Sequence, residues 1–269
     1  GRERAQKAPN TPAAASARAA DAFNRVTWRG DGDARLEELI RLARIGNRPR
    51  LTADAMEVLA RRWLARSRFR DAFALCQSMP PAHDNVMLWI AAGRAEAAAG
   101  TAAKAGEHFK QGWDLHDIAA RNGISCDESD VANARVWHAE WLGSQGHTDR
   151  AAKLLTLAAD HFEKLGDVRE RAVTLGKIAD IYQARGDLDG ALKIRQEEQL
   201  PVFEKLGDVR SLLVARANIA LMMLERGRRD DLPEAVRLLV WSHQAAAERG
   251  FTEAAQLAQI LRALGIESR

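Results

Sequence analysis

Seven histidines, two cysteines and a few paired acids are the side chains here that could catalyse a reaction or hold a metal, and their spacing supports neither. No histidine falls in an H-E-x-x-H pattern, and His108 and His116, eight apart, have no third ligand at zinc spacing. Cys76 and Cys126 stand outside any C-x-x-C pair and read as small hydrophobes of a reducing compartment. No G-x-x-x-x-G-K-[ST] loop occurs, and Asp230-Asp231 reads as a loop pair. No strand-like alternation exists to carry a nucleophile into a strained turn. These residues predict a binding protein rather than an enzyme, with no cofactor and no metal. Trp137 and Trp141, four apart, form one patch on a helix, either core packing between neighbouring segments or an aromatic anchor for a partner.

The elements that would position such a surface are legible from a repetition. Phe162-Glu163-Lys164-Leu165-Gly166-Asp167-Val168-Arg169 recurs letter for letter as Phe203 to Arg210, an offset of 41. A period of that size marks a solenoid, whose units bury their apolar faces only against neighbours. Between the copies, Ala172, Leu175, Ile178, Ala179 and Tyr182 make a helical stripe. Gly186 ends that helix, Asp187 caps the next, and Leu188, Ala191, Leu192 and Ile194 restart the stripe. The unit is a helix-turn-helix. The 269 residues are 46% hydrophobic, with one Tyr and abundant Ala, as close helix packing requires, and no apolar run reaches the ~20 residues of a membrane span. A cytoplasmic location is expected, and a first residue of Gly rather than Met suggests a chain trimmed, tagged or cut from something longer.

The turn position recurs at Ser67, Gly100, Gly146, Gly186 and Gly227, at separations of 33, 46, 40 and 41. The small residue of the second helix falls at Ala72, Ala105, Ala151, Ala191 and Ala235, and its partner in the first at Ala60, Gly93, Ala139, Ala179 and Ala220. The loop Asn122 to Asp127 accounts for the longest spacing, and an insertion through Arg228–Pro233 for the last. The register predicts an all-α solenoid of five pairs over 52–269, closed by a capping helix at 252–264 whose Glu253, Gln256, Gln259 and Arg262 face outward. Residues 1–12 read as a tail or linker. Residues 13–51 read as a helical pair, a degenerate repeat or an adaptor, with Thr11-Pro12 opening a helix to about Trp28 and Pro49 closing the second. Pro201, inside a long second helix, predicts a kink or break just before it.

Trp89-x3-Gly93-x6-Gly100-x4-Ala105-x3-Phe109 resembles the tetratricopeptide repeat, in the longer form of kinesin light chains and bacterial signalling proteins. The resemblance covers about residues 52–265. It implies a right-handed superhelix whose first helices line a concave groove, with ligand contacts at their second, fifth, ninth and twelfth places. Those places include Asp54, Glu57, Arg61, Arg94, Asn133, Glu140, Asp180 and Gln183. By that resemblance the chain is a protein-interaction or sensor module for a peptide or partner protein, part of a larger bacterial signalling or defence protein.

Charge leaves a second reading open. Residues 1–80 carry 15 Arg and 1 Lys against 9 acids, an excess of +7, so the remainder carries −4 within the total of +3. A basic end of this kind holds nucleic acid or an acidic partner, or is simply a solvated face, and a purely structural scaffold or oligomerisation arm is a third reading. Arg61 and Arg94 early and the acids late predict a groove polarised along its length, basic first.

Overall fold

In the computed structural model, residues 11–25, 32–80 and 84–266 are described, and among them every regular element is helical. The tail and the breaker at Arg29 to Asp33 lie wholly or mostly outside those residues. The chain divides into two units, Gly1–Asp130 and Val131–Arg269.

In unit 1, Thr11 accepts the amide of Ala14 and Pro12 opens α1 (Pro12–Asn24), because a proline at the first helical position gives up an amide that would be unpaired anyway. α2 (Asp33–Ile45) turns at Gly46, where an added Cβ would lie 2.6 Å from the Ala17 backbone; the two helices touch there. Pro49 does not merely end α2. It is the first residue of α3 (Pro49–Ala65), so the regular array starts three residues before Thr52. α4 (Phe69–Gln77), α5 (Val86–Ala98) and α6 (Ala102–Arg121) follow. Leu39, Met56, Leu59, Ala60, Ala72 and Leu88 share the core, and Phe109 of α6 seats against Gly93 of α5.

α7 (Glu128–Ser144) begins in the last residues of unit 1 and continues in unit 2. Unit 2 adds α8 (Thr148–Leu165), α9 (Val168–Ala184), α10 (Leu188–Lys193), a π-helical segment (Ile194–Gln199), α11 (Leu200–Leu206), α12 (Val209–Arg226), a 3₁₀ turn (Arg229–Asp231), α13 (Leu232–Glu248) and α14 (Glu253–Ala263). The identical octapeptides form identical joints. Gly166 and Gly207 end α8 and α11 in the left-handed conformation, and Asp167 and Asp208 cap α9 and α12 by accepting the amides of Glu170 and Ser211. Leu257 and Leu261 of α14 close the core over Leu238 and Leu239 of α13, while Gln256, Gln259 and Arg262 stay exposed.

The register of turns and small residues holds throughout. Ser67, Gly100, Gly146, Gly186 and Gly227 all have positive φ, and the ten small positions flanking them are buried. The fold is an all-α stack of helix-turn-helix pairs with a terminal capping helix. No helix among the described residues is long and apolar enough to cross a membrane. Before Pro201 the helix is widened rather than broken: the amide of Leu200 reaches back five residues to the carbonyl of Arg195.

Two outcomes follow. An added Cβ at Gly93 would sit 3.0 Å from the Phe109 ring, so Gly93→Leu should cost about 1–3 kcal/mol, and hydrogen exchange should quicken in α5 and α6 rather than along the whole chain. Ser67 holds φ 58° without being glycine, so Ser67→Gly should raise stability by about 0.5 kcal/mol in thermal or denaturant unfolding.

Candidate functional site

Each unit carries a cavity on its first helices. In unit 1 it measures about 400 Å³ and lies among α3, the start of α5, the end of α6 and the loop into α7. Asp54 and Glu57 project into it from α3, one turn apart as helical spacing requires. Asn85 caps α5 by accepting the amide of Leu88 at 2.8 Å, and its side-chain amide donates to Asp54 at 2.9 Å. Asp127 accepts the amide of Asp130 at 3.0 Å. Arg61 donates to Glu57 at 3.0 Å and clasps both oxygens of Asp130 at 2.6 and 2.5 Å. Burial raises the Glu57 carboxyl above its usual range against the pull of Arg61, with the Asp130 and Asp54 charges adding to the rise. Met87, Leu115, Ile118 and Ile124 supply an apolar wall.

The unit 2 cavity, about 320 Å³, is bounded by α9, the π segment, α11 and α12. Its floor is polar and buried: Arg195 is 2% exposed and Gln199 5%. Arg195 donates to Gln199 at 2.8 Å, to the Gly176 carbonyl at 3.3 Å and to the Asp180 carboxylate. Gln199 donates to the Ala172 carbonyl at 3.1 Å. Burial lowers the Arg195 pKa while Asp180 opposes it. The wide π turn carries Arg195 and Gln199 onto α9, and Gly176 makes the space, since a Cβ there would come within 2.1 Å of the Gln199 amide nitrogen. Lys177, Arg210, Ser211 and Asn218 ring the opening, with Lys177 donating to Glu140 at 2.5 Å.

The eight residues assigned to the first helices are dispersed. Asp54 and Glu57 share the unit 1 cavity, with Arg61 as their counter-ion; Asp180 lines the unit 2 cavity. Glu140 and Gln183 join neighbouring first helices, Glu140 to Lys177 and Gln183 to Glu225. Arg94 and Asn133 are half-buried and line neither cavity. Trp141 packs on the core of α7, α8 and α9 with its ring stacked on His138, and Trp137 is half-buried. Cys76 is buried and its thiol is pushed up to about 12, whereas Cys126 lies half-exposed in the unit 1 cavity wall, unlike the expected core hydrophobe.

The expected polarity, basic first and acidic later, does not hold at the cavities. Arg61 is neutralised by Glu57 and Asp130, which leaves unit 1's cavity acidic, while at unit 2's cavity Lys177, Arg195 and Arg210 are each paired with an acid, Glu140, Asp180 and Glu253. Asp84, Asp127, Asp130, Arg195 and Gln199 were not found by sequence reasoning. A signal existed for two of them. Arg195 and Gln199 continue the stripe from Ala191 at four-residue spacing, polar where an apolar residue is due, just before Pro201.

No protein-family model and no curated protein matches this chain. Solved structures do match in fold. A signal transduction ATPase with a tetratricopeptide-repeat sensor from Pyrococcus horikoshii aligns at TM-score 0.66 and 14% identity, over 83% of this chain and 33% of its own. BtubC from P. vanneervenii aligns at 0.56 and 17%, over 88% and 91%. A kinesin light chain with nearly identical repeats from Podosopora anserina aligns at 0.56 and 18%, over 73% and 95%. The fold is that of tetratricopeptide-like repeat proteins.

Gly176→Ala should displace Gln199 from its carbonyl and strand a buried amide. The expected cost is about 1–3 kcal/mol in unfolding, with hydrogen exchange quickening in the segment 188–206. An unchanged midpoint would show that Gln199 is not held there.

Proposed function

We propose that the first helices of both units form docking surfaces for a protein or peptide partner, and that the chain acts as an interaction or sensor module without catalytic chemistry of its own. One observation carries this reading. The two cavities open at first-helix places that the repeat resemblance assigns to ligand contact: Asp54 and Glu57 in unit 1, and Asp180 in unit 2. Both have the size and mixture of apolar walls with a few directed polar groups that binding sites have. Glu57, Asp130, Lys177 and Asp180 are ion-paired, whereas Asp54, Asp84 and Asp127 stand exposed at the unit 1 cavity, open to a partner. The wider setting, a longer signalling or defence protein, draws on the Pyrococcus ATPase, whose array of this fold is described as its sensor.

The nucleic-acid reading has less support. Arg41, Arg48, Arg61, Arg66 and Arg68 of the basic end are ion-paired with Glu38, Asp21, Glu57 and Asp130, Asp33, and Asp33 with Asp71. Guanidinium groups so occupied have less to offer a phosphate backbone.

Arg61 is a poor site for a functional test because its loss would unbalance Glu57 and Asp130. Exposed positions serve better. Asp54→Lys and Val214→Glu should each abolish or strongly weaken partner capture from cells of the source organism, confirmed by calorimetry, with unfolding midpoints nearly unchanged. Lys153→Glu, exposed on a second helix, should leave binding intact. Equal losses from all three would show that binding does not follow the cavities and would overturn the docking surfaces.

A further inference from the structure

We infer that the unit 1 cavity takes a cationic side chain of the partner, an arginine or lysine whose aliphatic stem lies along its apolar wall; this rests on the interaction reading above. The charge inventory carries it. Five carboxylates, Asp54, Glu57, Asp84, Asp127 and Asp130, belong to the cavity, against Arg50 in its lining and Arg61 behind it. Arg61 is spent on Glu57 and Asp130. The contacts Asp54 and Asp127 make, to the side-chain amide of Asn85 and the backbone amide of Asp130, are with neutral donors and leave their charges uncompensated. Asp54, Asp84 and Asp127 therefore face Arg50 as three exposed negative charges against one positive.

The second feature is the wall. Ile118 and Ile124 line the same cavity and remain 47% and 62% exposed, so aliphatic surface open to solvent lies beside the acids. Lysine and arginine are the side chains that satisfy both features, with an apolar stem and a charged head. The acids are also spread out. Among the described residues no three acidic, histidine or cysteine side chains come close enough to hold a metal ion. Such dispersed carboxylates suit an extended cation with several donors, above all the guanidinium fork, better than a point charge. A phosphate, a nucleic acid or an acidic peptide would meet like charge here.

The test uses the whole chain and two acetylated pentapeptide amides, glycine-leucine-arginine-leucine-glycine and its twin with citrulline, which keeps the shape and removes the charge. Titration followed by amide NMR and calorimetry should show the arginine peptide shifting Asn85, Ile118 and Ile124, and binding about tenfold more tightly than the twin. Asp54→Asn and Asp84→Asn, both at exposed positions, should each narrow that ratio without changing the unfolding midpoint. Equal affinity for the two peptides, or shifts confined to Lys177 and Asn218 in unit 2, would overturn the cation site and leave the interaction reading standing. Silence with both peptides would overturn the site as well; the interaction reading would then stand or fall separately on capture of a partner sensitive to Val214→Glu.

Discussion

The close approach of two helices is the constraint everything else obeys. A helix pair whose facing positions are Gly93 and Ala105, or Ala179 and Ala191, is limited in separation by backbone and methyl groups rather than by side-chain bulk. The large residues must then fill the space beside the contact instead of holding it open, and Phe109 and Phe162 do so with no exposure to solvent. The left-handed residue at each turn is the other half of the same constraint, because it reverses the chain within a few residues and so brings the small positions opposite one another. Turn and small residue are thus one device, repeated.

On that frame the polar residues of unit 2 acquire a period of their own. Lys177 reaches Glu140, Arg169 reaches Asp208, Gln183 reaches Glu225 and Arg226 reaches Asp189, at sequence separations of 37, 39, 42 and 37. Each bond spans about one repeat. Exposed pairs of this sort are worth about 0–1 kcal/mol each and do not hold the stack together. Their effect is on register, since a neighbour shifted by one turn would lose several at once.

This division explains what the sequence made legible. Turns, small residues and caps are local, decided within a few positions, and Gly100, Ala105 and Asp167 announce themselves without tertiary knowledge. Pro49 was misread because a proline that ends one helix can as well begin the next. Arg61 was misread for a different reason: its partner Asp130 lies 69 residues away, and no local pattern says which acid will meet which base. The acidic cavity has the same origin, assembled from α3, the start of α5 and the loop before α7. Expectations of charge along the groove counted residues, whereas the outcome depended on which of them cancel.

Arg195 is the residue of the unit 2 cavity that stability explains least. Burying a guanidinium costs several kcal/mol of hydration, and an apolar residue of similar volume is often as stable or more so. Here the cost is met in part by Asp180, Gln199 and the Gly176 carbonyl, with Gln199 held in turn by the Ala172 carbonyl, and the arrangement further requires a π turn and a glycine at position 176. A leucine at position 195 in a regular helix would meet the packing need with none of these concessions. What the concessions create is a buried polar floor beneath the cavity, its Arg195 held through both terminal nitrogens by Gln199, Asp180 and the Gly176 carbonyl. Under the interaction reading proposed above, such a floor would discriminate between ligands that can match its donors and those that leave them unpaired, and specificity would offset its instability.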